Sequence, residues 1–146
     1  MSASEALIAL VPTVALRTIR FRQLSAYDKR ATDIDVEVVP VFGLSVATNS
    51  DDPTLFRLGL RCEIKFTDEA QIVAEVEAEY QVDGEGVALP LAQALMIEYM
   101  NEVAVMALIP YLRHAIADLS LRVFGSPITM PVFQRGAISF PLDMQV

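Results

Sequence analysis

The sequence predicts an α+β domain: a four-stranded antiparallel sheet followed by a long helix packed on one face. Three observations carry that expectation. Strict period-two alternation fills long stretches between residues 33 and 83. After Leu91 the apolar spacing changes to three and four. All strand-like stretches precede the helical one, which excludes the βαβ interleaving of a parallel sheet. At 146 residues there is room for one domain, spanning 1–146.

A first strand is expected from Leu16 to Ala26, with Ile19 and Phe21 on one face and arginines on the other. From Asp33 to Val46 the even positions read Ile34, Val36, Val38, Pro40, Phe42, Leu44 and Val46. Pro40 has no amide to donate, so it predicts a bulge or an edge position. From Leu55 to Phe66 the even positions are Phe56, Leu58, Leu60, Cys62, Ile64 and Phe66, against Arg57, Gly59, Arg61, Glu63 and Lys65. From Gln71 to Asp83, Ile72, Ala74, Val76, Ala78, Tyr80 and Val82 face Glu75, Glu77, Glu79, Gln81 and Asp83. A helix would scatter these side chains around its axis, whereas a strand puts one set on a packed face and the other in water. Turn-forming clusters separate the runs at Asn49-Ser50-Asp51-Asp52-Pro53, Thr67-Asp68-Glu69 and Asp83-Gly84-Glu85-Gly86. Four long strands with short links predict a meander.

Helix is expected over Leu91–Met100 and again over Glu102–Phe124. Val105, Leu108, Leu112, Ile116, Leu119 and Val123 recur at helical spacing. Gly125 and Pro127 mark the stop. Pro110 either kinks this helix or begins it. Val103, Met106, Ile109 and Tyr111 make it apolar on more than one side. One sheet face does not cover such a helix, so a second subunit is expected against it. Beyond Gly125, residues Ile128 to Phe140 read as extended or irregular, broken by Pro131 and Gly136.

Composition narrows the function. Hydrophobic residues make up 53% of the chain, above the usual ~45–50%, and point to an oligomer or an apolar binding surface. The net charge of −8 repels phosphate backbones and argues against nucleic acid as a partner. Residues 1–32 carry a net +3, residues 33–85 a net −10, and the remainder is nearly neutral. The acidic block is either a solvated sheet face or a docking surface for a basic partner. Ala6 to Leu16 is interrupted by Pro12 and lacks a preceding positive charge, so no signal peptide is expected. Glu98, Asn101 and Glu102 interrupt the most apolar run, so neither is membrane insertion. The expected location is cytoplasmic.

Chemical motifs are sparse. Nucleophile elbows, phosphate loops and zinc-protease motifs are missing from the sequence. Cys62 is the sole cysteine and falls on the apolar side of a strand, as an inert thiol would. His114 and Asp118 stand four apart on one helix, a surface pair without a nucleophile beside it. Glu75, Glu77 and Glu79 repeat too regularly for convergent metal ligands. No enzyme, cofactor or metal is expected. Met96, Met100, Met106 and Met130 are either core filler or the lining of an adaptable apolar groove.

Ile109-Pro110-Tyr111-Leu112-Arg113, then Ala115-Ile116-Ala117-Asp118-Leu119, then Gly125-Ser126-Pro127-Ile128-Thr129-Met130-Pro131-Val132-Phe133 resembles the signature of the SecB chaperone family. Gln71 to Glu77 resembles the family's fourth strand. The resemblance spans about residues 14–133, and only its Pro110–Arg113 and Pro127–Phe133 segments are specific. It implies a homotetramer, a dimer of dimers, that binds unfolded polypeptides in apolar grooves without nucleotide. Export-dedicated members deliver precursors to SecA through an acidic sheet face, whereas SecB-like members protect the antitoxin of a toxin–antitoxin system. The family's further C-terminal helix is shortened or absent here, because Gln134 to Val146 contains Gly136 and Pro141. That shifts the expectation from SecA delivery toward a narrower client set.

The peptide-binding residues expected on this footing are Phe42, Leu44, Met96, Met100, Ile128, Met130 and Phe133, with oligomer core as the alternative place for several. Tyr111 and Arg113 are expected to brace the helix. The competing function is a small-ligand-binding or enzymatic hot-dog-like α+β domain, against which stands a helix that follows all four strands. A third option is a purely structural assembly subunit.

Overall fold

A computed structural model describes residues 3–31, 39–131 and 133–142. Four strands make one antiparallel sheet: β1 (Val14–Asp28), β2 (Val41–Thr48), β3 (Leu55–Thr67) and β4 (Ala70–Val82). Their spatial order is β1-β4-β3-β2, which corrects the expected meander. Only β2, β3 and β4 follow one another by hairpins. The chain from β1 to β2 is long enough to cross to the other side of the sheet, and β1 lies beside β4 in a Greek-key arrangement. The expected strand from Asp33 begins within residues 32–38, outside the described residues. From Val41 onward it is β2, an edge strand, and Pro40 just before it fits that position.

The alternation in β3 and β4 becomes burial. Phe56, Leu58, Leu60, Cys62 and Ile64 are buried, as are Ile72, Ala74, Val76, Ala78, Tyr80 and Val82. The turn clusters close as side-chain chemistry demands: Asn49 Oδ1 accepts from the amides of Asp51 (2.8 Å) and Asp52 (3.2 Å), and Thr67 Oγ1 accepts from the Glu69 amide (3.0 Å).

On β1 the register against β4 shifts between Leu16 and Thr18 and again between Phe21 and Gln23. Arg17 and Arg22 are the inserted residues. Each bulge changes which sequence parity faces the core. Leu16, Ile19, Phe21 and Leu24 therefore oppose Tyr80, Ala78, Val76 and Ala74, all on the helix-covered face.

Helices lie on that face. A short α1 (Glu5–Leu10) plugs the core with Leu7 and Leu10. Ser4 caps it, accepting from the Leu7 amide (3.1 Å), while Glu98 accepts from the backbone amide and hydroxyl of Ser4. The two expected C-terminal helices are one continuous stretch: α2 (Gln93–Tyr99), a π turn (Met100–Ala104) and α3 (Val105–Phe124). Met96, Met100, Ala104, Leu108, Leu112, Ile116 and Ser120 are all buried, every fourth residue. An α-helix has 3.6 residues per turn, so such a stripe drifts around it; the wider π turn takes up part of the drift. By length and composition Gln93–Phe124 would span a bilayer, yet half of its most apolar window is packed inside the protein. Gly125, at φ 85°, ends α3 in the left-handed conformation that suits glycine.

Candidate functional site

Past Gly125 the chain turns back along α3. The Ile128 amide donates to Ser120 Oγ (2.7 Å), whose hydroxyl donates to the Ala117 carbonyl (3.1 Å). Arg113 Nη2 donates to the Pro131 carbonyl (3.2 Å). Ser120 and Arg113 are seven residues apart, about 10 Å at 1.5 Å per residue. Three extended residues also cover about 10 Å. The two anchors thus fit a segment 128–131 that runs extended beside the helix.

Its apolar side chains meet the ends of β2 and β3 around a cavity of about 260 Å³. Pro40, Ile64, Phe66, Ile128, Thr129, Met130 and Pro131 line it. This volume holds one or two aliphatic side chains and is smaller than a typical drug-sized pocket of ~300–1,000 Å³. Phe66 packs on Phe124 with ring centroids 5.0 Å apart, and the Arg30 guanidinium lies against both rings at 5.3 and 5.6 Å. Asp28 holds that guanidinium in a fork, at 2.9 Å to Nε and 3.0 Å to Nη2, which lowers the Asp28 carboxyl below its ordinary range. Phe42 of β2 meets Phe133 edge-to-face at 5.6 Å.

Ile128 and Met130 of the expected set line the cavity together, and Phe42 and Phe133 form one aromatic pair. Leu44 packs against the core on the same face of β2 as Phe42. Met96 and Met100 stand in the core, 4% and 0% exposed, and do not line the cavity; Met130 and Ile64 are buried as deeply, 3% and 2% exposed, but do line it. Sequence reading missed Ser120, Phe66, Phe124 and Arg30. Ser120 did leave a signal: it is the one polar side chain on the every-fourth buried stripe, where a hydroxyl needs partners. Arg113, expected to brace the helix, reaches from α3 to the Pro131 carbonyl and braces the segment after Gly125.

Other expectations resolve nearby. Asp118 pairs with Arg122 (3.1 Å), one helical turn onward, in place of the expected pairing with His114. His114, exposed, shares a cavity of about 310 Å³ with Phe21, Pro110 and Tyr111. Leu16 and Leu24 of β1 and Met106, Tyr111 and Leu121 of α3 are exposed. Among the described residues, the acids of the outer sheet face are matched by arginines. Glu77 is buried and receives Arg20 (3.2 Å) and Arg22 (2.9 Å) from β1, with Arg57 of β3 at 3.9 Å. Arg61 pairs with Glu63 (2.7 Å). Arginine rows on β1 and β3 flank and compensate the glutamates of β4. Cys62 is sealed in the core, and burial pushes its thiol up to about 12. Among the described residues, no group of three or more His, Cys, Asp or Glu is placed to hold a metal ion.

No family model and no curated protein matches the sequence. Among solved structures, the SecB-like chaperone of Mycobacterium tuberculosis, in complex with a ChAD peptide from the HigA1 antitoxin, is similar over 90% of this chain and 99% of its own, with a TM-score of 0.76 and 22% identity. A protein of unknown function from Streptococcus agalactiae aligns over 82% of this chain and 97% of its own at a TM-score of 0.42 and 9% identity, too distant to inform the fold. Sheet order, the helices on one face and the turned-back segment after Gly125 thus make up a SecB-like chaperone fold.

Proposed function

We propose that this chain is a nucleotide-independent chaperone that holds unfolded or aggregation-prone polypeptide segments in the groove between segment 128–131 and the ends of β2 and β3. The observation that carries this reading is the apolar cavity of about 260 Å³, braced from α3 by Ser120 and Arg113. It offers side-chain-sized apolar space and no catalytic group. Phe42, Leu44, Ile128, Met130 and Phe133 are the proposed client contacts, joined by Phe66 and Ile64. A buried aliphatic or aromatic side chain contributes ~1.5–3 kcal/mol. Micromolar affinity, about −8 kcal/mol net of association costs of at least ~4 kcal/mol, therefore needs about four or more such anchors, so the client must engage the groove beyond the one or two side chains the cavity holds.

The charge-compensated outer face supports a client of the antitoxin kind over delivery to SecA, which would need a surface for a basic partner. The exposed apolar row on β1 and α3, namely Leu16, Phe21, Leu24, Met106 and Tyr111, supports self-association, with the homotetramer as the proposed assembly and the cytoplasm as its place. The test is a light-scattering assay with a chemically unfolded, aggregating client. The chain suppresses aggregation at near-stoichiometric ratio, and Ile128→Glu loses at least tenfold of that capacity while remaining folded. A chain that leaves aggregation unchanged but binds a small molecule tightly overturns the reading.

A further inference from the structure

On the other flank of the helical stretch, a second contact has the form of peptide recognition. Asn101 stands in the π turn between α2 and α3. Its Nδ2 donates to the Phe140 carbonyl (2.8 Å), and its Oδ1 accepts from the Phe140 amide (2.8 Å). One side-chain amide thereby satisfies both backbone groups of one residue. A strand partner does the same in a hydrogen-bonded antiparallel pair. Such a contact reads extended backbone without regard to side-chain identity, and π turns inside α-helices recur at functional sites.

Selectivity comes from the side chains on either side. Ile138 and Phe140, two residues apart, are both buried in the core cluster, while Ser139, Pro141 and Leu142 between and beyond them are exposed. The segment has the alternation of a strand, yet among the described residues no strand pairs with it. Arg135 adds an exposed ion pair to Glu102 (3.1 Å). On the solvent side of the segment a cavity of about 400 Å³ opens between Glu98, Asn101 and Glu102 and the residues Ser139 to Leu142, so the Asn101 contact is reached from solvent.

We propose that Asn101 and the apolar seat beneath Ile138 and Phe140 form a second peptide-binding site for extended segments with large apolar residues two apart, and that the chain's own residues 138–142 are its resting occupant. A client segment of that pattern then enters by displacing the tail. This deepens the proposed function, on which it rests for the source of the competing segment.

The probe is a fluorescently labelled synthetic peptide of residues 134–142, titrated by anisotropy against the full chain and against a chain shortened to end at Phe133. The expected result is saturable binding to the shortened chain, at least tenfold weaker binding to the full chain, and a tenfold loss in the shortened chain on Asn101→Ala. Equal binding to both chains, no binding to a shortened chain that circular dichroism shows folded, or indifference to Asn101→Ala overturns the proposal. Should the shortened chain fail to fold, the full chain carrying Glu102→Cys and Arg135→Cys is bridged with a bismaleimide, to which buried Cys62 stays inert. High peptide concentrations are then expected to load the unbridged chain and not the bridged one, and equal loading overturns the proposal. Neither arm uses a client. A full chain that fails to suppress aggregation defeats the groove reading, and a peptide that fails to exchange defeats the Asn101 seat.

Discussion

Ser120 does more for the groove than its size indicates. Its hydroxyl is fully buried and joins the Ala117 carbonyl to the Ile128 amide, the point where the groove wall begins. Ser120→Ala leaves that amide without its partner, at a cost of about 1–3 kcal/mol, read as a lower urea midpoint. Client affinity falls as well, because the wall loses one of its two anchors. Cys62 makes the opposite case, a reactive group kept silent. Its ordinary value of 9.0 is raised to about 12 by burial, so the folded chain keeps the proton that the unfolded chain releases. The stability this contributes is fully present below pH 9 and declines as pH rises from 9 toward 12. Alkylation by iodoacetamide at pH 8 is accordingly expected only in urea, and rapid labelling of the folded chain would contradict the burial. Single residues were unevenly legible: the inert thiol was readable from strand parity. The placement of Met96 and Met100 was not, because the same helical spacing serves a core stripe and an open groove.

Elements show why legibility failed where it did. In β3 and β4 alternation holds as far as a register shift between Lys65 and Thr67 near the hairpin, and ends and faces match within a residue or two. In β1 the apolar residues Leu16, Ile19, Phe21 and Leu24 change parity twice, because Arg17 and Arg22 are extra residues that pair with nothing across the ladder. A pattern search with one fixed period loses such a strand. The bulges also make a deletion test. Removing Arg22 leaves Phe21 and Gln23 opposite Val76 and Glu75 and is expected to lower the urea midpoint only slightly, through the loss of its solvent-screened ion pairs to Glu77 and Glu75. Removing Arg20 instead flips the face of every residue on one side of the deletion, and that chain is expected not to fold. Circular dichroism with urea titration separates the two; equal effects would mean the bulges carry no register. The continuous helix was nearly legible, with the π turn hidden because it costs one residue of phase and no breaker residue marks it.

At the scale of the molecule, charge and apolar surface are divided between faces. The net −8 suggested an acidic exterior, but cross-strand pairing sets the arginines of β1 and β3 against the glutamates of β4. Linear charge blocks do not predict a face when strands far apart in sequence become neighbours. Apolar surface instead gathers at the helix side, at the exposed β1 and α3 row and at the groove after Gly125. The fold class was legible because period and order alone decide it; of the cavity lining only Ile128 and Met130 were, because Pro40, Ile64 and Phe66 come to face them only once the sheet order is known.

The most direct test follows the methyl resonances of the folded chain, labelled at isoleucine and methionine, as an unfolded client segment is added. Ile128, Met130 and Ile64 are expected to shift and saturate together, with Met96 and Met100 unmoved in the core. Client binding that leaves Ile128, Met130 and Ile64 in place would contradict the account.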